Sequence, residues 1–221
     1  MRYIIMCGGN YREWETPRQL LEVRGEPIVA RTIRLLKDAG ATDIAISSND
    51  DRFEGFGVPV LRHENNYYCR GYDDYDGYWC NCFYPTDEPT CYIFGDVVFS
   101  PEAIGTIVRT PVDDIELFGS KAPFAKEYVK KYVEPFALKV MDTEHLKKAI
   151  EETKALADKR AFFRHPLMWE LWTVIKGAPI QKVQGKYRCR YVAVNDYTCD
   201  VDSPEEIQLL ERIIANETRE A

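Results

Sequence analysis

The chain has 221 residues, 45% hydrophobic and 29% charged, with a formal net charge of −7. This length and apolar content suit one globular domain with a full-sized core, so residues 1–221 are read as a single domain. The acid excess argues against non-specific binding to nucleic acid or an anionic membrane, and the apolar stretch at residues 3–7 is too short for a signal-peptide core or a span, so a cytoplasmic location is expected.

Tyr3-Ile4-Ile5-Met6-Cys7 reads as a short buried strand, broken by Gly8-Gly9-Asn10-Tyr11-Arg12. Paired glycines let a backbone approach an anionic ligand, and Arg12 and Arg18 add fixed positive charge. An ordinary turn with two solvated arginines is the alternative. Gln19 to Val23 reads as a short extended piece. Glu26-Pro27 opens a helix with proline in its first turn, Val29, Ile33 and Leu36 line one face, and Gly40 stops it. Asp43 to Ser48 is a second strand, parallel to the first if the crossover is right-handed. Val58 to Leu61 is a third.

The segment Tyr67 to Tyr84 interleaves eight aromatic residues with Asp73, Asp74 and Asp76. It is expected to form a mobile loop, with a helix near Tyr75 to Phe83, that borders the site and orders over nucleotide. Packing aromatics are the alternative. Cys91 to Phe94 is a strand ending in Gly95-Asp96, which places a carboxylate where open α/β sheets bind ligands. Ser100-Pro101 caps a helix, Ile115 to Gly119 and Pro135 to Val140 are strands, and Asp142 caps a helix carrying Leu146, Ile150, Thr153 and Ala157 on one face. Tyr191 to Val194 reads as the last strand. Ser203 and Glu206 then have capping-box spacing at the head of a final helix. The seven cysteines, odd in number and without paired C-x-x-C spacing, read as reduced thiols.

Taken in order, Cys7-Gly8-Gly9 through Arg12, Pro17-Arg18-Gln19-Leu20 with Val23 to Ile28, Phe94-Gly95-Asp96-Val97, and Asp200 to Glu206 resemble the nucleotidyltransferases of the sugar-phosphate and cytidylyltransferase type. Their Rossmann-like domain is shared with A-type glycosyltransferases. The resemblance implies a single-domain, three-layer α/β/α sandwich with a mostly parallel, mixed sheet. Two departures stand out. The glycine loop is shorter than the family's, and Arg18 stands where lysine is usual, which keeps the charge with a different geometry.

The resemblance further implies transfer of a nucleoside monophosphate from a triphosphate to a small phosphorylated acceptor, with pyrophosphate leaving. Gly8, Gly9, Asn10, Arg12 and Arg18 would bind the nucleotide, the two arginines on its β- and γ-phosphates and acting in catalysis. Asp96 and Asp202 would hold Mg2+, with Asp200 as the alternative second ligand. Arg164, His165 and Lys139 are candidates for the acceptor. A nucleotide-sugar-dependent glycosyltransferase and a noncatalytic nucleotide-binding protein remain alternative readings of the same residues.

Overall fold

The computed structural model describes residues 1–8, 16–65, 67–121, 133–180 and 189–220. Strand β1 (Arg2–Met6) is buried from Tyr3 onward. Pro17 is followed by a single 3-10 turn, Arg18–Leu20, and then by a small hairpin of β2 (Glu22–Val23) and β3 (Glu26–Pro27). Arg24 and Gly25 close it with φ of 55° and 75°, the paired positive values that a two-residue hairpin turn demands. The extended piece expected at Gln19 to Val23 is therefore bent. Pro27 is itself extended, and helix α1 (Ile28–Asp38) starts one residue later than proline in the first turn would have it. Gly40, at φ 91°, ends the connection to β4 (Ile44–Ser47).

β5 (Val60–Leu61) follows. The tyrosine-rich segment then forms a hairpin of β6 (Tyr68–Gly71) and β7 (Asp74–Asp76) and one 3-10 turn at Trp79–Cys82. No helix forms over residues 75–83. Gly77 takes φ 66°, which interrupts a helical path, and the tyrosines are committed to a tertiary contact described below. Next come β8 (Thr90–Phe94), β9 (Val97–Val98) and α2 (Pro101–Arg109), whose cap is the Ser100 hydroxyl accepting from the Ala103 amide at 2.9 Å. β10 (Ile115–Lys121) and β11 (Val133–Val140) pair antiparallel. Asp142 caps α3 (Thr143–Asp158) by accepting from the His145 amide at 2.9 Å.

Helix α4 (Met168–Ile175) has no counterpart in the sequence reading. Met168, Trp169, Leu171, Trp172, Val174 and Ile175 are all buried, and Glu170 and Thr173 alone leave too narrow a polar strip to reveal a helix by period. β12 (Val192–Ala193), β13 (Cys199–Asp200) and α5 (Pro204–Glu220) complete the chain.

Seven strands form one mixed sheet in the order β12-β10-β11-β8-β1-β4-β5. β1 runs parallel to both β4 and β8, with Tyr3 opposite Ile44 and Cys91, while β11 is antiparallel to its neighbours. Every residue of β4 and β8 is buried, as strands covered on both faces must be. Helix α1 packs with α2, and α3 with α4. The three-layer α/β/α arrangement with a mostly parallel sheet is thus the one expected. A smaller apolar cluster, including Val23, Ile28, Val98, Cys199, Val201, Leu210 and Ile214, anchors α5 beside the sheet. That satellite core carries Asp200 and Asp202 to the ends of the central strands.

Candidate active site

Asp96 owes its position to Gly95. A Cβ on Gly95 would lie 2.4 Å from the Met6 carbonyl oxygen, closer than any side chain tolerates, and the Gly95 amide donates to that oxygen at 3.2 Å. The chain therefore crosses the end of β1 tightly and sets Asp96 at the carboxyl edge of the parallel strands, where open α/β sheets bind ligands. The β9–β13 ladder then pairs Asp200 with Val97, and the Val201 amide donates to the Asp96 carbonyl at 2.9 Å. Two acidic segments about a hundred residues apart in sequence are held together by backbone hydrogen bonds.

Arg18, on the turn after Pro17, reaches into this group. Its Nη1 lies 3.1 Å from Asp202 Oδ1 and 3.8 Å from Asp96 Oδ2, and donates to the Val201 carbonyl at 3.3 Å. Burial pushes the Asp96 carboxyl up to about 6, and the nearby Asp200 charge adds to this; Arg18 pulls the other way. The Asp202 amide donates to Glu206 Oε2 at 2.6 Å, so the carboxylate that heads α5 caps Asp202 rather than Ser203. The expected box is displaced by one residue, which fixes Asp202 directly.

Asp96 and Asp200 connect this group to a cavity of about 510 Å3, the size of a small-molecule site. Its lining includes Gly8, Gln19, Asp96 and Asp200 together with Trp79, Trp169, Arg164 and Glu134. Glu134 was not singled out in sequence. It is almost fully buried, and its Oε2 accepts from Cys199 Sγ at 3.2 Å, with Asp200 alongside; the ligand atoms of the three lie within 4.8 Å of one another. The signal that points to it is a charge inside the apolar run of β11.

Arg164 lines the cavity and is held by Glu170 Oε1 at 3.1 Å, while Glu170 Oε2 accepts the Leu167 amide at 3.0 Å at the head of α4. His165 points elsewhere, into a cluster of tyrosine rings. Lys139 is not brought to the cavity. Its Nζ donates to the carbonyls of Ile107, Val108 and Thr110 at 3.0, 3.1 and 2.7 Å, spending all three protons on the negative end of α2. Position at a strand end suggested an acceptor contact; the long side chain turns to a helix terminus instead. Gly9, Asn10 and Arg12 lie outside the described residues.

Asp96 lies within the field of Asp200 and Asp202 as well as Arg18, so carboxylates outnumber the guanidinium here, and carboxylate oxygens are hard donors of the kind a small divalent ion such as Mg2+ takes.

Acidic groups and an arginine thus meet at the carboxyl edge of a parallel-centred sheet. Residues 3–75 match the model of the MobA-like NTP transferase domain, which spans β1, the Arg18 turn, α1 and β4. Among solved structures, one from Bacillus anthracis assigned as a glucose-1-phosphate thymidylyltransferase aligns over 96% of this chain and 94% of its own, with a TM-score of 0.56 and 14% identity. The CTP:phosphocholine cytidylyltransferase of Streptococcus pneumoniae aligns over 96% and 98%, with a TM-score of 0.51 and 18% identity. No curated protein matches the chain. At these identities the structures speak for the fold, and the family-model match is confined to residues 3–75.

Proposed function

We propose that this protein is a Mg2+-dependent nucleotidyltransferase of the cytoplasm, which transfers a nucleoside monophosphate from a triphosphate to a small phosphorylated acceptor. A phosphate oxygen of the acceptor forms the new bond to the α-phosphorus, the bond from that phosphorus to the β-bridging oxygen breaks, and pyrophosphate leaves with the electron pair. Such a transfer asks the protein for alignment and for neutralisation of charge, with no covalent intermediate. The observation that carries the reading is the grouping of Asp96, Asp200, Asp202 and Arg18 beside a cavity that Asp96 and Asp200 line.

In this reading Asp96 and Asp202, with Asp200 beside them, hold the magnesium ion, which supplies charge neutralisation on the phosphate oxygens. Arg18 stands among the carboxylates, and its planar fork suits phosphate oxygens as well as the carboxylate oxygen it meets now. Gly8 presents backbone to the cavity, and the nucleotide roles of Gly9, Asn10 and Arg12 follow from the motif. Arg164, fixed by Glu170, is the cation on the acceptor side. The names of both aligned structures specify a phosphorylated small molecule, which supports an acceptor of that class here.

The test is pyrophosphate release from each nucleoside triphosphate with magnesium and a panel of acceptors that includes sugar 1-phosphates and phosphocholine. One pair should release pyrophosphate in proportion to nucleotidyl product, and Asp96→Asn should abolish it. Release by no pair from folded protein would overturn the reading.

A further inference from the structure

A buried imidazole ordinarily hydrogen-bonds through both ring nitrogens. His165 is only 3% exposed, and neither Nδ1 nor Nε2 has a hydrogen-bond partner among the described residues. Four tyrosine rings surround it instead. Tyr67 and Tyr78 lie at 5.6 and 5.7 Å with interplanar angles of 31° and 30°, Tyr75 approaches to 4.4 Å, and Tyr72 stands edge-on at 5.9 Å. All four belong to one short segment, the β6–β7 hairpin and its flanks. The Tyr72 hydroxyl is spent on the Phe162 carbonyl at 3.2 Å and the Tyr78 hydroxyl on Asp158, so neither serves the imidazole.

The hairpin pairs with no strand of the main sheet, and β7 is exposed throughout. Its attachments include the cage around His165, those two hydroxyl bonds and an Arg160–Asp73 ion pair. The cage also joins two stretches of chain that line the cavity. Asn65 and Trp79 flank the hairpin, and Arg164, Leu167 and Trp169 flank His165.

We propose that His165 is a pH-sensitive clasp: as neutral imidazole it holds the tyrosine hairpin to the α3–α4 connection and keeps those two lining stretches together, and as imidazolium it leaves the cage and frees the hairpin. Charging the ring would create two N–H donors where no acceptor is offered, in a place closed to water. Burial already holds the imidazole below its ordinary 6.5, against the pull of Asp158. The other charges facing the cage are the cations Lys154, Arg160 and Arg164 and the anions Asp73 and Glu170. Lys154 of α3 lies over the Tyr78 ring, Arg160 over Tyr72, and Arg164 is matched by Glu170. The tyrosine faces would attract a cation, and the edge-on Tyr72 would oppose it.

The sign follows from linkage. A base whose protonation is disfavoured in the closed form gives the clasp full strength above the open-form value of about 6.5, and closure weakens by up to about tenfold for each pH unit below it. The clasp is the same whatever ligand the cavity takes, so its test uses the full chain without substrate. Hydrogen exchange, corrected for intrinsic rate, should show protection of amides 67–78 falling by up to about 30-fold between pH 7.5 and 5.0, while residues 28–47 stay protected. His165→Phe and His165→Gln should each abolish the pH dependence, and in the wild type the ring titration seen by NMR should fall below 6.5 and track the loss of protection. Unchanged wild-type protection, an equal loss in either folded variant, or a ring midpoint above 6.5 would overturn the clasp.

Discussion

Asp96→Asn separates what the site costs the fold from what it does. With Asp96 pushed from its ordinary 3.8 to about 6, first by burial and then by Asp200, the ionised carboxylate is disfavoured in the folded state at neutral pH. The interval corresponds to about 3 kcal/mol at about 1.4 kcal/mol per pH unit, and contact with water over a third of the side chain reduces it to about 1–2 kcal/mol. Because the folded-state value is raised, the wild type is penalised above pH about 6 and not below 3.8, where the group is protonated folded and unfolded. In EDTA at pH 7.5 the variant should therefore melt about 2–8 °C higher than the wild type, and the gap should close as pH falls toward 4. Magnesium should raise the wild-type midpoint and leave the variant's unchanged. A variant that melts lower at pH 7.5 without metal, or an advantage that persists at pH 4, would refute the desolvation argument. Such a gain in stability with loss of activity is the expected signature of a carboxylate kept for function.

Divalent-ion affinity, measured by calorimetry across pH, should fall by about tenfold per unit below pH about 6, since the ion competes with the Asp96 proton. Gly95→Ala puts a methyl 2.4 Å from the Met6 carbonyl; urea denaturation should show a loss of about 2–4 kcal/mol, with pyrophosphate release down more than tenfold as Asp96 shifts. Lys139→Met removes three hydrogen bonds at the end of α2 and should cost about 1–3 kcal/mol, while KM for the acceptor stays within about twofold of wild type. A large rise in that KM would return Lys139 to the site.

Residues were legible in sequence where backbone chemistry sets their place and opaque where the reach of a side chain does. Asp96 belongs to the first kind: Gly95 must pass close to β1, so the following carboxylate lands at the sheet edge whatever surrounds it. Asp202 does too, because the head of α5 is marked by its own capping carboxylate, even though Glu206 takes the amide one residue earlier than the box pattern implies. The caps at Ser100 and Asp142 are local in the same sense and formed as expected. Lys139 is the opposite case. Its backbone lies in the expected strand, yet four methylenes carry Nζ to a helix end 29 residues earlier in the chain, and nothing in its neighbours encodes that choice. The tyrosine segment fails as a helix for a related reason: its rings close around His165, some ninety residues on, and that contact outweighs local preference. Helix α4 was hidden by being apolar on all but a narrow strip, and Glu134 by the strand pattern around it. Both of those line the cavity, Trp169 from α4 and Glu134 from β11 beside Asp200, and neither is marked by a short motif as Asp96 is. The part of the lining that distant packing assembles is thus the part that motifs describe least.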